Sequence, residues 1–446
     1  MSMPSQVAWA AAAGDTSGDD SAVTNARRLS WMALATLALA VNVGPGAAVA
    51  QTLFDRDANV GVRDRPHPEY DALGVPVASF TLLPKVSVSS IYDDNIFALP
   101  VKTSDFIFVV SPDLQINSNW NRNSLQFDFS SEFDEYASHG SQNSIEYQGA
   151  ATYRLDADHA SQITFAASAA RLTQPRTSVN TAANEFDPIQ YDLVQAHVTG
   201  FRTFDRLKIT SHIDVSDFSY DNVKAADGSF VREDFQDHSE LAGTLRADYA
   251  VSPVTALFVE GTPNVHSYSL EPPITPFKRD SSGFDILSGV NFQVSHLVTG
   301  EIGVGYQLQH YVDRQFEGIN GLALRGQLVW YATQLITVTL HADRTFQDSG
   351  LPDTAAARVN DVSATFDYEL LRNLIVTGTL GFTRYDYPGL DRLDNRFGAG
   401  LGATYLFSRS VGLTLGYSYL RQDSSGIAHG FNFDDNRLAL TLTLQR

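Results

Sequence analysis

From Leu125 to Asp134 the chain reads Leu-Gln-Phe-Asp-Phe-Ser-Ser-Glu-Phe-Asp. Side chains alternate across a β-strand with period two. Leu125, Phe127, Phe129 and Phe133 therefore share one face, and Gln126, Asp128, Ser130, Glu132 and Asp134 share the other. One such strand would suit a soluble sandwich, but the same alternation recurs to the end of the chain. There Leu438, Leu440, Leu442 and Leu444 oppose Arg437, Ala439, Thr441 and Thr443. Repetition on this scale predicts an all-β fold, a transmembrane antiparallel up-and-down β-barrel with lipid outside and water inside.

No run after residue 50 is long and apolar enough for a spanning helix. A barrel is unaffected, because its strands need only ~9–11 residues and spend half of them on polar side chains. The formal net charge is -20. Acidic chains with few aromatics tend to be disordered. This one carries 27 Phe, 18 Tyr and 4 Trp, so its acid belongs on a folded polar surface such as a lumen and outer loops. A basic patch for nucleic acid is missing, and the absence of cysteine removes disulfides and Cys-based metal sites. A soluble propeller would repeat at a fixed period, and no such repeat is present.

The first 84 residues have their own signals. Arg27 and Arg28 precede an apolar run from Leu29 to Val43, followed by Gly44-Pro45-Gly46 and Ala48-Val49-Ala50. A basic region, an apolar region and an Ala-x-Ala end predict a signal peptide over residues 1–50, cleaved after Ala50. Residues 51–79 are polar and punctuated by proline, and they read as a periplasmic segment too small for a globular plug. The barrel is expected over residues 80–446.

Between Phe80 and Leu444 the alternation divides into about 18 strands, an even number as single-chain bacterial barrels require. Short connections such as Thr203–Arg206 and Ser408–Ser410 alternate with long ones: Thr173–Gln190, Asp221–Gln236, Tyr268–Gly283, Phe346–Arg358 and Gln422–Asn432. Short periplasmic turns and long external loops are the expected asymmetry, with both termini periplasmic. Aromatics collect at strand ends. Tyr153, Tyr249, Trp330, Tyr368, Tyr405 and Phe407 lie near short turns, and Tyr220, Tyr268, Phe346, Tyr385, Tyr417 and Tyr419 near long loops. These predict two interfacial belts.

A series of local motifs adds a resemblance: Arg65-Pro66-His67-Pro68-Glu69-Tyr70-Asp71, Ser79-Phe80-Thr81-Leu82-Leu83-Pro84, Tyr92-Asp93-Asp94-Asn95-Ile96-Phe97, Ser104-Asp105-Phe106 and Ser111-Pro112. Together with the repeating strands they resemble the beta-barrel porin 2 type of outer-membrane porin over residues ~65–446. The resemblance implies a barrel with a transport role, and a link to exopolysaccharide production in Gram-negative bacteria.

The polar faces define the candidate site. Under the expected register the lumen is lined by Asp128, Glu132, Asp134, Glu146, Arg154, Lys208, His212, Asp214, Arg246, Arg325, His341 and Asp343. Rings of charge tune pore selectivity, and the acidic balance favours cations or neutral solutes over anions. Asp, Asn, Gln and Thr together offer the donors and acceptors that sugar hydroxyls need.

Catalytic readings are weaker. Carboxylates two apart on a strand lie ~7 Å apart, within the inverting-glycosidase range, but no second feature marks a catalytic cleft. The His212/Asp214 and His341/Asp343 pairs do not by themselves make a triad. Gly398-Ala399-Gly400-Leu401-Gly402 lies inside a strand pattern with no helix following, so it is not a phosphate loop. Asp93, Asp94 and Asn95 read as a solvated loop tip rather than a cation site. The expectation is a pore that passes saccharides or serves exopolysaccharide export, not an enzyme, with no cofactor and no metal. A general small-solute porin and a closed structural or adhesive barrel are the alternatives. The expected partners are outer-membrane lipid, polysaccharide or oligosaccharide, and periplasmic export proteins.

Overall fold

The computed structural model describes residues 60–179, 187–225, 228–269, 278–351 and 354–446. The expected signal peptide (1–50) lies outside the described residues, as do residues 51–59 and parts of four long connections.

Eighteen long strands form the fold. They are β1 (Phe80–Asp93), β2 (Asp105–Ser118), β3 (Ser124–Tyr136), β4 (Ser144–Asp158), β5 (Ser161–Thr173), β6 (Gln190–Phe204), β7 (Leu207–Tyr220), β8 (His238–Ser252), β9 (Thr255–Tyr268), β10 (Ser281–Val294), β11 (Val298–Tyr311), β12 (Ile319–Thr333), β13 (Ile336–Asp348), β14 (Ala356–Leu371), β15 (Leu374–Asp386), β16 (Leu393–Ser408), β17 (Val411–Ser425) and β18 (Phe433–Gln445). Each is antiparallel to its neighbours in sequence. β18 returns to β1, from Lys85 opposite Gln445 to Asp93 opposite Arg437, and this closes the barrel. Closure leaves no unpaired edge, which is what makes a sheet viable in lipid. A three-residue strand, Val75–Val77, adds a short hairpin to the start of β1.

Connections alternate as expected. The turns 159–160, 205–206, 253–254, 334–335, 372–373 and 409–410 are two residues long, and most are flanked by a register shift at the preceding strand end. Bulges of this kind at a barrel rim let the chain reverse without stretching the ladder. Asp205 adopts positive φ in one of these turns, and Ser295 and His296 do so in the three-residue turn 295–297. The strands run past the expected ends at the other rim. Phe346 and Gln422 lie within β13 and β17, so the loops there shrink to 349–355 and 426–432. Hydropathy marks where a strand leaves the lipid, but the hydrogen-bond ladder continues into water.

The alternation sets the faces. Phe108, Ile145, Ile213 and Leu401 are between 52% and 60% exposed, and similar apolar side chains recur on the outer face of every sector. An apolar surface of this extent is a lipid contact. One belt needs correction: Tyr220, Tyr268 and Tyr385 do not stand with the outer aromatics. Tyr220 differs in parity from the outward Ile213 and stacks on Tyr191 at 4.9 Å. Tyr268 is 5% exposed and Tyr385 differs in parity from the outward Phe382. Nearness to a strand end fixes height, whereas residue parity fixes the face.

The wall bends sharply at β9–β12. Phe258, Leu287 and Ala323 point inward and bury one another. A Cβ on inward Gly289 would collide with the Ile302 carbonyl, and one on Gly305 with the Ile286 carbonyl. Only glycine permits so tight a concave face.

Candidate functional site

The inner face carries the charge, and its densest cluster sits against that bend. Arg246 (β8) donates to Asp248 on its own strand at 2.8 Å, to Glu260 (β9) at 3.4 Å and to Glu301 (β11) at 2.7 Å. Its guanidinium also lies 4.0 Å from the centre of the Phe258 ring. Arg325 (β12) donates to the other oxygen of Glu260 at 3.0 Å and stands opposite Asp343 (β13) in the ladder. Planar forks of donors suit such shared carboxylates. β8 and β11 are three strands apart, roughly 14 Å in a flat sheet. The Arg246–Glu301 contact therefore exists because the wall curls.

The remaining sequence-predicted residues lie on the same side of the sheet but do not join this cluster. Asp128 accepts two bonds from Gln126 at 2.9 Å. Glu132 stands opposite Glu146 in the ladder and accepts from Ser111 at 3.2 Å, while Glu146 accepts from the Thr173 backbone N–H at 3.1 Å. Asp134 accepts from Ser144 at 3.3 Å, and Arg154 pairs with Asp156 at 3.4 Å. Lys208 lies 4.5 Å above the Phe201 ring. His212 contacts Asp214 and, at 2.5 Å, Thr199. The His212–Asp214 pair thus meets one hydroxyl, that of Thr199.

His341 lines a cavity of about 830 Å³ together with Glu301, Arg325 and Asp367, and the other side of that cavity is the chain itself, residues 60–64. This strap lies on the inner wall at the short-turn rim. The Val62 N–H donates to Thr337 at 3.1 Å, Arg63 to Asp367 at 2.6 Å and Arg65 to Glu369 at 2.8 Å. Further along, Arg409 donates to the Pro68 carbonyl at 2.8 Å and Gln445 to the Tyr70 carbonyl at 3.4 Å. Val62 is fully buried and the Glu369 side chain is 1% exposed.

The opposite rim is crossed as well. Arg396, inward on β16, donates to the Thr177 carbonyl in the β5–β6 connection, from the far side of the ring. That connection is pinned at its base, where the Gln174 N–H donates to the Ile189 carbonyl at 2.8 Å.

Sequence reading missed the partners Asp248, Glu260 and Glu301, and the strap. Asp248 shares its strand and parity with Arg246, so the alternation held that signal, and Glu260 stands opposite Arg246 in the ladder. Nothing local revealed that residues 60–65 meet strands some 300 positions away.

The profile of the family described as Putative beta-barrel porin 2 matches residues 67–446. No curated protein matches the sequence. Among solved structures, OccK2 (OpdF) of Pseudomonas aeruginosa is similar at 10% identity, over 82% of this chain and 98% of that one, with a TM-score of 0.45. A BenF-like porin of Pseudomonas fluorescens Pf-5 is similar at 13% identity over 82% and 99%, with a TM-score of 0.43. The FrpB iron transporter of Neisseria meningitidis is similar at 9% identity over 77% and 62%, with a TM-score of 0.47. The strand ladder and the family match, not these distant likenesses, carry the assignment: the chain belongs to the Putative beta-barrel porin 2 family of outer-membrane β-barrel pores.

Proposed function

We propose that this barrel is a passive channel for small polar solutes, saccharides of few units foremost, which favours cations and neutral molecules over anions. One observation carries the reading: fixed charges of both signs stand on the inner wall beside the 830 Å³ cavity, and a strap occupies one rim. Eighteen strands leave room for an aqueous channel. Side chains that alternate donors and acceptors suit hydroxylated solutes. The proposed lumen-lining set comprises Asp128, Glu132, Asp134, Glu146, Arg154, Lys208, His212, Asp214, Arg246, Arg325, His341 and Asp343, with Asp248, Glu260 and Glu301 added. On this reading both termini belong to the periplasm, and the strap from residue 60 onward enters the barrel from that side.

The strap and the β5–β6 connection favour small solutes over a polymer. The sequence resemblance supports the second reading, an exopolysaccharide conduit, in which a periplasmic partner would draw the strap out. The decisive experiment is single-channel conductance of the purified chain in a planar bilayer, with and without oligosaccharide. Cation-preferring conductance that oligosaccharide blocks supports the saccharide channel. Conductance indifferent to sugar leaves a general porin, and a folded barrel without conductance refutes the open channel.

A further inference from the structure

A second cluster of side chains lies at the long-loop rim, on the inner face, and the pore reading does not use it. His238 and Glu240 are two apart on β8, and His266 stands directly opposite Glu240 on β9. Asp348 closes the cluster from the end of β13. β9 and β13 are four strands apart, roughly 19 Å in a flat sheet; the β12–β13 ladder ends at Leu324 opposite Arg344, and the end of β13 beyond it reaches inward, where the Arg344 carbonyl accepts from Gln307 and Asp348 meets His266. His238 Nε2 lies 3.4 Å from Glu240 Oε1, His266 Nδ1 lies 3.6 Å from the same oxygen, and His266 Nδ1 lies 2.7 Å from Asp348 Oδ2. Donor atoms of His238, Glu240 and Asp348 all fall within 4.8 Å of one another.

We propose that His238, Glu240, His266 and Asp348 form a tetrahedral site for a divalent transition metal, with zinc as the fitting ion. Three observations support it. The first is orientation. His238 Nδ1 lies 2.6 Å from the Gln236 carbonyl, which can only accept, so Nδ1 carries the hydrogen. Nε2 then presents its lone pair to Glu240, which also has only lone pairs to offer. A cation must stand between them, either a proton or a metal. A backbone carbonyl behind a histidine is the usual support of a ligating imidazole.

The second is distance. Charge-assisted hydrogen bonds run ~2.7–2.9 Å, shorter than the two contacts to Glu240. Ligand atoms ~2.0–2.1 Å from a tetrahedral zinc are about 3.3–3.4 Å apart; the His238–Glu240 contact of 3.4 Å matches that spacing, and the His266–Glu240 contact of 3.6 Å closes slightly to meet it. The His266–Asp348 edge opens by about half an ångström to fit the same tetrahedron.

The third is preorganisation. The His238 ring is stacked between Phe218 at 4.4 Å and Tyr268 at 4.9 Å. The Tyr268 hydroxyl donates to Asp348 at 2.8 Å. The ligands are thus held by packing and a second layer of hydrogen bonds. Two carboxylates with two imidazoles suit zinc, copper, nickel or iron better than the hard cations calcium and magnesium. Arg279, nearby, donates to the carbonyls of Ser349 and Leu351, and its guanidinium lies 6.0 Å from the centre of the Tyr268 ring.

Bound metal would lock β8 and β9 to the end of β13 across the mouth. The test is isothermal titration of zinc chloride into the full chain, expressed without a histidine tag, stripped with chelator and held in detergent. One zinc per chain is expected, with affinity at least about tenfold weaker in Glu240→Gln and binding lost in His238→Ala/His266→Ala. Calcium and magnesium should give no heat. Heat-modifiable electrophoretic mobility shows that each variant is folded. No zinc uptake by the folded parent overturns the proposal. So does unchanged stoichiometry in the folded double variant, because the metal then lies elsewhere. Neither outcome depends on whether the barrel conducts.

Discussion

Arg65→Ala is the perturbation that most directly tests the strap. Arg65 Nη1 lies 2.8 Å from Glu369 Oε2, and the carboxylate is 1% exposed. Removing one partner of a buried ion pair costs ~3–5 kcal/mol, mostly by stranding the other. Arg372 sits 3.3 Å from the second Glu369 oxygen but is 71% exposed, and it offsets part of that loss. A net effect of about 2–3 kcal/mol remains. At 1.4 kcal/mol per decade, the detached population of the strap rises roughly 30- to 150-fold. Val62, Arg63 and the Pro68 carbonyl retain their own contacts, so the barrel itself should fold. Hydrogen exchange followed by mass spectrometry should show faster exchange confined to peptides covering residues 60–71. Single-channel recordings should show larger or noisier conductance. Exchange within about threefold of the parent, in a folded barrel, would refute the view that this ion pair holds the strap.

Other consequences are equally direct. Arg246→Ala removes the cation shared by Asp248, Glu260 and Glu301, so the reversal potential under a salt gradient should move further toward cations; an unchanged potential would place this cluster off the conduction path. Gly305→Val puts branched carbon against the Ile286 carbonyl, where overpacking costs ~1–3 kcal/mol or more, and should reduce the heat-modifiable folded band, whereas Gly378→Val, with open space around it, should not. Burial raises the Glu233 carboxyl to about 7, and the neighbouring Asp234 adds to the rise against the Gln236 hydrogen bond. An acid whose folded pKa lies above its unfolded value loses stability as pH rises between the two. The 221–237 connection should therefore resist protease better near pH 5 than above pH 7, and Glu233→Gln should flatten that difference.

Much of the fold was legible because a barrel strand writes its environment into alternate residues. Phe129, Phe133 and Leu440 face outward as parity requires, and the ladder from β1 to β18 follows from neighbours in sequence pairing in order. The charged inner residues were legible for the same reason. Arg246 was assigned to the inner face by parity, but its partner Glu301 lies 55 positions away, and no local pattern records that pairing.

The sequence by itself determined the strand count, the alternation of turns and loops, and which face of each strand meets lipid. Those properties depend on period and composition within single hairpins. The tertiary structure alone decided what the interior contains. Glycines at Gly289 and Gly305 let the wall curl, and curling brings Arg246 to Glu301, while the parting of β13 from β12 beyond Leu324 and Arg344 brings Asp348 to His266. The strap from Val62 to Tyr70 found its place through ion pairs with Asp367 and Glu369, which exist only once the ring has closed around it. A period-two pattern specifies a surface, but contacts across a closed ring depend on its curvature, which is a property of the whole sheet.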